Sequence, residues 1–199
     1  MSLARHLAGI VTAFWLLLGI AGSAWAGPFD DAGAAYQRGD YETAFELLKP
    51  LADKGNADAQ FTIGLMYELG QGITQNYDEA IKWYRLSADQ GNVASQFNLA
   101  VIYYIGAGVP SDDTEAAHWY ALAADQGFVA AQYNLGYLYY KGYGVPRDYV
   151  QAHKWWSLAA AQRHEDAIKN RNLVASKMTA PEIEEATRLA LEWLAARPQ

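Results

Sequence analysis

Apolar and small residues recur along this chain at the spacing of a helix face, and paired glycines interrupt them. Gln60, Ile63, Gly64 and Tyr67 fall at i, i+3, i+4 and i+7, which places them on one face of a helix. That helix is expected to end near Gly70, because the two glycines that follow can adopt the positive φ values of a tight turn. A second apolar pattern then begins, so the local unit is predicted to be a helix–turn–helix.

This unit occurs three times in tandem, with a period of 36 residues. The copies span residues 57–92, 93–128 and 129–164, and the last two agree at 18 of 36 positions. The shared columns include Gln60/Gln96/Gln132, Tyr67/Tyr103/Tyr139, Gly70/Gly106/Gly142, Gly72/Gly108/Gly144 and Trp83/Trp119/Trp155. Units of this length bury their apolar faces by stacking on one another, so the period predicts a solenoid.

The second helix of each unit is predicted to begin at a capping side chain. The cap and the residue three positions later are Asn76 with Glu79, Asp112 with Glu115, and Asp148 with Gln151. This is the spacing of a capping box, in which the cap side chain accepts a hydrogen bond from the third backbone N–H of the helix. Each cap contributes about 1 kcal/mol to its helix.

The two ends of the array differ from its middle. Residues 27–56 read as one more helix pair with a shorter turn, whereas the period is lost in residues 165–199. Thr179 followed by Glu182 nevertheless predicts the start of a last helix. Because a solenoid needs terminal units with one wetted face, residues 165–199 are predicted to be a capping helix pair. Docking of a partner by this segment is the alternative.

The repeats resemble the Sel1-like repeat, a relative of the tetratricopeptide repeat (TPR) with a longer turn. The residues that carry the resemblance are Ala131, Leu135, Gly136 and Tyr139 in the first helix, the Gly-x-Gly-Val turn, the Asp-x-x-x-Ala start of the second helix, and the Trp, Ala-Ala and Gly that follow. The resemblance covers residues 57–164, and residues 27–56 look more like an ordinary TPR pair. It implies an all-α, right-handed α-solenoid of stacked antiparallel helix pairs, whose first helices line a concave groove.

The first 26 residues have the pattern of an export signal. Arg5 is followed by an uncharged apolar stretch over residues 7–21, and Ala24-Trp25-Ala26 has the form of a signal-peptidase site. We expect cleavage after Ala26 and a periplasmic or secreted protein of 173 residues (199 − 26), enough for one domain. A retained membrane anchor is the alternative, although the apolar stretch is shorter than the roughly 20 residues of a spanning helix.

Charge and cysteine content narrow the possible functions. Arg5 is the charged side chain of the signal segment, so its removal takes the formal net charge from −7 to −8. An acidic chain without a basic cluster is not expected to bind nucleic acid, or a membrane after cleavage. The chain has no cysteine, which excludes disulfides, cysteine-ligated zinc and thiol catalysis.

The sequence predicts no catalytic, cofactor-binding or metal-binding residues. His118 and His153 occupy columns where other copies carry lysine, isoleucine or alanine, an exchange that a catalytic imidazole would not tolerate. Asp112, Asp113 and Glu115 lie near His118, but acids at a helix start are better explained by capping and the helix dipole. The serine-nucleophile motifs Ser-x-x-Lys and Gly-x-Ser-x-Gly do not occur. The chain is therefore predicted not to be an enzyme.

A candidate binding surface lies on the first helices, on residues that do not belong to the core face. These residues are Phe61, Leu65, Phe97, Asn98, Val101, Tyr104, Tyr133, Asn134, Tyr137 and Tyr140. In an open groove their rings would anchor a peptide, and the asparagines would bind its backbone. Alternatively the rings pack against the second helices. Core packing is the preferred interpretation for Phe61, Phe97 and Tyr133, and both interpretations stay open for the tyrosines at 104, 137 and 140.

These observations favour a non-enzymatic scaffold or adaptor of the cell envelope, which binds a peptide or protein segment along the concave face. The alternative is a cell-wall (peptidoglycan) binding protein or hydrolase, which export and aromatic rings able to stack on sugars suggest. Some exported Sel1-like proteins that are rich in cysteine are called β-lactamase-like. Because this chain has no cysteine, the activity of those relatives is not transferred to it. An inhibitor or maturation factor of one envelope enzyme would share the features of the scaffold.

Overall fold

The structure is a computed structural model that describes residues 27–197, which form ten helices and no strand. The predicted signal segment, residues 1–26, lies outside the described residues. The helices are α1 (Pro28–Gln37), α2 (Tyr41–Asp53), α3 (Ala57–Leu69), α4 (Tyr77–Ala88), α5 (Val93–Ile105), α6 (Asp113–Asp125), α7 (Val129–Lys141), α8 (Tyr149–Ala161), α9 (Glu165–Ala175) and α10 (Ala180–Ala195). None of these helices combines the length and the apolar content required to cross a membrane.

The helices stack in chain order as pairs. From α1 to α9, each helix packs on the next one along the chain, so the pairs α1–α2, α3–α4, α5–α6 and α7–α8 form a continuous array. The predicted all-α solenoid is confirmed. Within the pairs, glycine permits a close approach: a Cβ atom on Gly64 would lie 2.8 Å from Cδ1 of Tyr84, and one on Gly136 would lie 2.7 Å from Cδ1 of Trp156.

The second helices begin at the predicted caps, but the capping box is incomplete. Oδ1 of Asn76 accepts a hydrogen bond from the backbone N–H of Glu79 at 3.1 Å, and Asp112 and Asp148 cap α6 and α8 in the same way. The backbone N–H of Asn76 donates to the carbonyl oxygen of Tyr67 at 2.9 Å, and its two equivalents do likewise. Because that N–H is already bound, the return bond from the third side chain is not required.

The turn glycines join neighbouring units. The second glycine of each turn has a positive φ angle and lies against the first residue of the preceding unit's second helix. A Cβ atom would lie 2.6 Å from the backbone of Tyr41 at Gly72, 2.3 Å from Tyr77 at Gly108, and 1.9 Å from the backbone of Asp113 at Gly144. The turn is therefore part of the contact between units, and not merely a link within one unit.

A buried glutamine of each unit connects three segments of the array. Nε2 of Gln132 donates to the carbonyl oxygen of Ala124 at 3.3 Å, and its Oε1 accepts from Nε2 of Gln162 at 3.1 Å. Gln96 and Gln60 make the equivalent bonds one and two units earlier. Ala124 belongs to the preceding unit and Gln162 ends the second helix of the same unit, so each glutamine fixes the stacking of consecutive pairs.

The C-terminal helices close the array in a way that differs from a simple hairpin. Both α9 and α10 have their main contacts with α8 rather than with each other. Nε1 of Trp193 donates to Oδ1 of Asp125 at 3.2 Å, and its ring lies 6.2 Å from that of Trp155. Thus α9 continues the stack, whereas α10 lies over the second helices. There it covers Leu158, while the equivalent Leu122 stays exposed.

Candidate functional site

Two of the ten predicted surface residues are buried in the core. Leu65 is 5% exposed and Phe97 is 7% exposed. Phe97 packs on the rings of Tyr120 and Phe128, with centroids 5.7 and 4.9 Å away. The burial of Phe97 agrees with the preferred interpretation of core packing. Leu65 lies between the core residues Gly64 and Met66 on α3, and its assignment to an open surface is corrected. The remaining eight are half-buried: Phe61, Asn98, Val101, Tyr104, Tyr133, Asn134, Tyr137 and Tyr140.

Four partly exposed tyrosines lie on α5, α7 and the turn after α7. We call Tyr104, Tyr137, Tyr140 and Tyr143 the tyrosine strip. Burial is the main cause that raises the pKa of Tyr104 to about 12, and the adjacent Tyr137 is the second. Its hydroxyl therefore stays protonated under physiological conditions. The rings of Tyr137 and Tyr143 meet edge to face at 6.3 Å. Tyr143 was not among the sequence candidates, which were taken from the first helices, because it lies in the turn after α7.

Rigid packing and lysine side chains surround Tyr140 at one end of the strip. Its ring lies 5.6 Å from that of Tyr149 and 5.6 Å from that of Trp156. Nζ of Lys141 is 5.6 Å from the centroid of Tyr140 and 5.7 Å from that of Tyr137. Nζ of Lys177 also lies over the ring of Tyr140, 6.0 Å from its centroid. This end of the strip therefore combines fixed aromatic surface with positive charge.

The two asparagines of the predicted site support buried tyrosines. Nδ2 of Asn98 donates to the hydroxyl of Tyr84 at 3.0 Å, and that hydroxyl donates to Oε2 of Glu68 at 2.6 Å. Burial raises the pKa of Glu68, and the hydrogen bond from Tyr84 opposes part of this rise. Asn134 lies against the hydroxyl of the buried Tyr120 in the equivalent place. Their amide groups therefore point inward, which corrects the expectation that they are free for a peptide backbone.

Tyr133 and Phe61 are held by internal contacts. The ring of Tyr133 stacks on His164 at 4.5 Å, and its hydroxyl accepts a hydrogen bond from Nδ2 of Asn170 at 3.4 Å. Phe61 lies against Tyr84 with the ring centroids 5.9 Å apart. The preferred interpretation of these residues as packing residues agrees with the structure, and the open surface reduces to the tyrosine strip and Val101.

Charge is distributed unevenly along the first helices. Asp58 and Glu68 lie on α3, α5 carries no charged residue, and Lys141 is the charged residue of α7. Beyond it, α9 carries Glu165 and Asp166 as well as Lys169 and Arg171, and Lys177 follows α9. The charge therefore changes from two acids on α3 to one lysine on α7, and the charges on α9 balance. Within residues 27–197, no group of three histidines, aspartates or glutamates is placed to hold a metal ion.

The stacked pairs and their half-exposed aromatic strip define a helical-repeat protein of the solenoid class. A family model described as Sel1 repeat matches residues 31–56, 57–92, 93–128 and 129–164. The chain therefore belongs to the Sel1 repeat family, whose members are protein-interaction scaffolds and are generally non-catalytic.

The solved structures that are similar to this chain include the following two. A Sel1 repeat protein from Oxalobacter formigenes shares 45% identity with a TM-score of 0.59, over 63% of this chain and 94% of that one. The second is c5321, a protective antigen present in uropathogenic Escherichia coli strains that displays an SLR fold. It shares 29% identity with a TM-score of 0.53 over 85% of this chain and 46% of that one, so this chain spans about half its length. No curated protein matched the chain.

Proposed function

We propose that this chain is an exported, non-enzymatic scaffold that holds a segment of another protein against the tyrosine strip. The observation that carries the proposal is that Tyr104 of the second repeat lies against Tyr137 and Tyr143 of the third, with Tyr140 one turn further along α7 and packed on Trp156. Tyrosine supplies a large contact area with few rotatable bonds and a hydroxyl that can bond a peptide backbone. Such residues dominate the binding energy of protein interfaces.

The charge of the strip indicates how a partner would lie on it. Lys141 and Lys177 flank Tyr140, whereas Glu68 and Asp58 lie two units away on α3. A bound segment with a carboxylate near one end is expected to place that end beside Tyr140, since opposite charges fix the register of a complex.

Export is supported by the apolar residues 7–21 and by Ala24-Trp25-Ala26. N-terminal sequencing of the native protein is expected to begin at Gly27.

Binding can be tested with peptides selected on the purified chain from a displayed peptide library. Changing both Tyr104 and Tyr137 to Ala is expected to weaken a selected peptide by about 30-fold or more, because an interface anchor contributes about 2 kcal/mol. Isothermal titration calorimetry measures this change. Moving an acidic residue of the peptide away from the Tyr140 end is expected to lower the affinity further.

Tyr103→Ala is the matched control. Tyr103 is a half-buried tyrosine on the same helix as Tyr104, but its hydroxyl accepts a hydrogen bond from Arg85 of α4, away from the strip. Its loss should leave peptide affinity within about twofold, since it makes no contact with the proposed partner. Equal losses of peptide affinity for Tyr103→Ala and for the double substitution of Tyr104 and Tyr137 would contradict the proposed site. Tight binding of peptidoglycan fragments that depends on Tyr104 and Tyr137 would contradict the proposed partner class.

A further inference from the structure

A cleft of about 380 Å³ opens where α8, α9 and α10 meet, apart from the tyrosine strip. Its polar wall includes His153, Ser157, Arg171 and Thr187, and its apolar wall includes Leu191 and Leu194. The cleft exists because α9 and α10 both pack on α8 and leave space between them. Its volume lies near the lower end of the roughly 300–1,000 Å³ that small-molecule sites occupy.

The polar wall contains a histidine–serine pair on one helix. Nδ1 of His153 lies 3.3 Å from Oγ of Ser157, and His153 is 7% exposed. Burial, and then the charge of Arg171, lower the pKa of His153, so the ring is neutral at neutral pH. If Nδ1 accepts the hydrogen bond from the serine hydroxyl, Nε2 of the neutral ring carries the hydrogen and can donate it. If Nδ1–H donates to Oγ instead, the hydroxyl hydrogen of Ser157 can donate to another group. In either tautomer the pair retains one hydrogen-bond donor for a ligand.

Arg171 supplies a positive charge that is not neutralised within the described residues. Its Nε and Nη2 donate to Oδ1 of the neighbouring Asn172 at 3.3 and 3.1 Å, and it forms no ion pair in residues 27–197. These bonds leave Nη1 available. A half-buried guanidinium in an acidic chain favours a carboxylate partner, because the two planar groups match in geometry and charge.

The polar pair occurs in the last repeat and not in the earlier ones. His153 stands in the column of Ile81 and Ala117, and Ser157 stands where the second copy has Ala121. Ile81 and Ala117 are buried apolar residues. The polar side chains therefore coincide with the position at which α10 covers α8, and the repeat fold does not require them.

The opposite wall offers apolar surface. Leu191 is 60% exposed and Leu194 is 48% exposed, on the side of α10 that lines the cleft. Leu158, fully covered beneath them, also contributes to the lining. A ligand that fits both walls must carry an anionic group at one end and a short aliphatic chain at the other.

We infer that this cleft binds a small aliphatic monocarboxylate, with its carboxylate on Arg171 and the His153–Ser157 pair and its chain against Leu191 and Leu194. Arg171 is the one lysine or arginine that lines the cleft, and its single positive charge matches one negative charge. The volume of about 380 Å³ lies near the lower end of the range of small-molecule sites, which favours a short aliphatic chain. This inference does not depend on protein binding by the tyrosine strip.

The inference can be tested by NMR titration of the full chain with sodium octanoate. Saturable shifts are expected at Ser157, Arg171 and the methyl groups of Leu191. Arg171→Gln is expected to weaken octanoate at least about tenfold, since it removes a charged hydrogen-bond donor. Lys54→Gln removes an exposed lysine outside the cleft and is expected to leave the affinity unchanged. Octanol binding as tightly as octanoate, or full affinity of Arg171→Gln, would overturn the inference.

Two further arms identify the ligand chemistry. Affinity should rise about fourfold per added methylene from butyrate towards octanoate in the native chain. In Leu191→Ser, a change at an exposed position that should not affect folding, this rise is expected to be smaller, because Leu194 and Leu158 still line the cleft. A peptide with a C-terminal leucine, compared with its amidated form, tests the second source of the same chemistry. Binding of the free acid more tightly than of the peptide supports a small-molecule ligand, whereas the reverse order overturns that choice of source.

Discussion

Gly144→Ala is expected to lower the free energy of unfolding by about 3 kcal/mol, whereas Gly91→Ala should lower it by only about 1 kcal/mol. Both glycines have positive φ angles, 66° and 88°, so each substitution carries the cost of a left-handed alanine. At Gly91 nothing lies within 4 Å of the added Cβ. At Gly144 the Cβ would lie 1.9 Å from the carbonyl oxygen of Asp113, and only movement of the backbone of α6 can relieve this overlap.

The measurement is urea denaturation followed by circular dichroism, with hydrogen exchange to locate the loss. Because the overlap lies between units, Gly144→Ala should increase exchange at the start of α6 and in the turn before α8. Gly91→Ala should affect only the end of α4 and the start of α5. Equal losses of stability would mean that the turns do not form the contact between units.

Gln132→Glu is expected to destabilise the chain by about 3 kcal/mol at pH 7 and to approach native stability near pH 4. The substitution keeps the shape of a fully buried side chain but replaces the donor that reaches the carbonyl oxygen of Ala124. A carboxylate at position 132 would have no hydrogen to donate to the carbonyl oxygen of Ala124, so two oxygens would face each other. Burial should therefore raise the pKa of the new carboxyl group above the roughly 4.3 of the unfolded chain.

The sign of the pH dependence follows from that shift. A folded-state pKa above the unfolded value leaves stability intact below the unfolded pKa, and the stability is lost as pH rises through the folded pKa. The measured quantity is the difference in unfolding free energy between variant and native chain at pH 4, 5, 6 and 7. Gln37→Glu, at an exposed position, is the control and should show a small difference at every pH. A difference for Gln132→Glu that does not change with pH would contradict the role of Gln132.

The fold could be predicted because its information is local and repeated. The glycine turns and caps such as Asn76 recur every 36 residues, and each has a direct backbone consequence. The Gln60 column was correctly placed on the core face. Its partners could not be predicted, because Ala52 lies in the preceding unit and Gln90 lies 30 residues further along, and no short spacing connects them.

The candidate surface could be predicted only in part. Phe97 is buried, as the preferred core interpretation expected. Leu65 adjoins core positions on its helix, where a small rotation decides between burial and exposure, and sequence spacing does not fix that rotation. Asn98 was expected to face outward, but Tyr84 of the facing helix binds its amide group. The cleft was missed for another reason: comparison between repeats discounts His153 because its column varies, although the last repeat alone meets α10.

Site-specific photo-crosslinking in the cells that produce the protein tests the central claim most directly. A photo-reactive residue is placed at Tyr104 or Tyr137 in the tyrosine strip, and at Leu86 or Leu122 on the exposed side of the second helices. The account predicts that positions 104 and 137 crosslink to neighbouring residues of one partner protein, and that positions 86 and 122 do not. Crosslinks to that partner from positions 86 and 122, with none from 104 and 137, would contradict it.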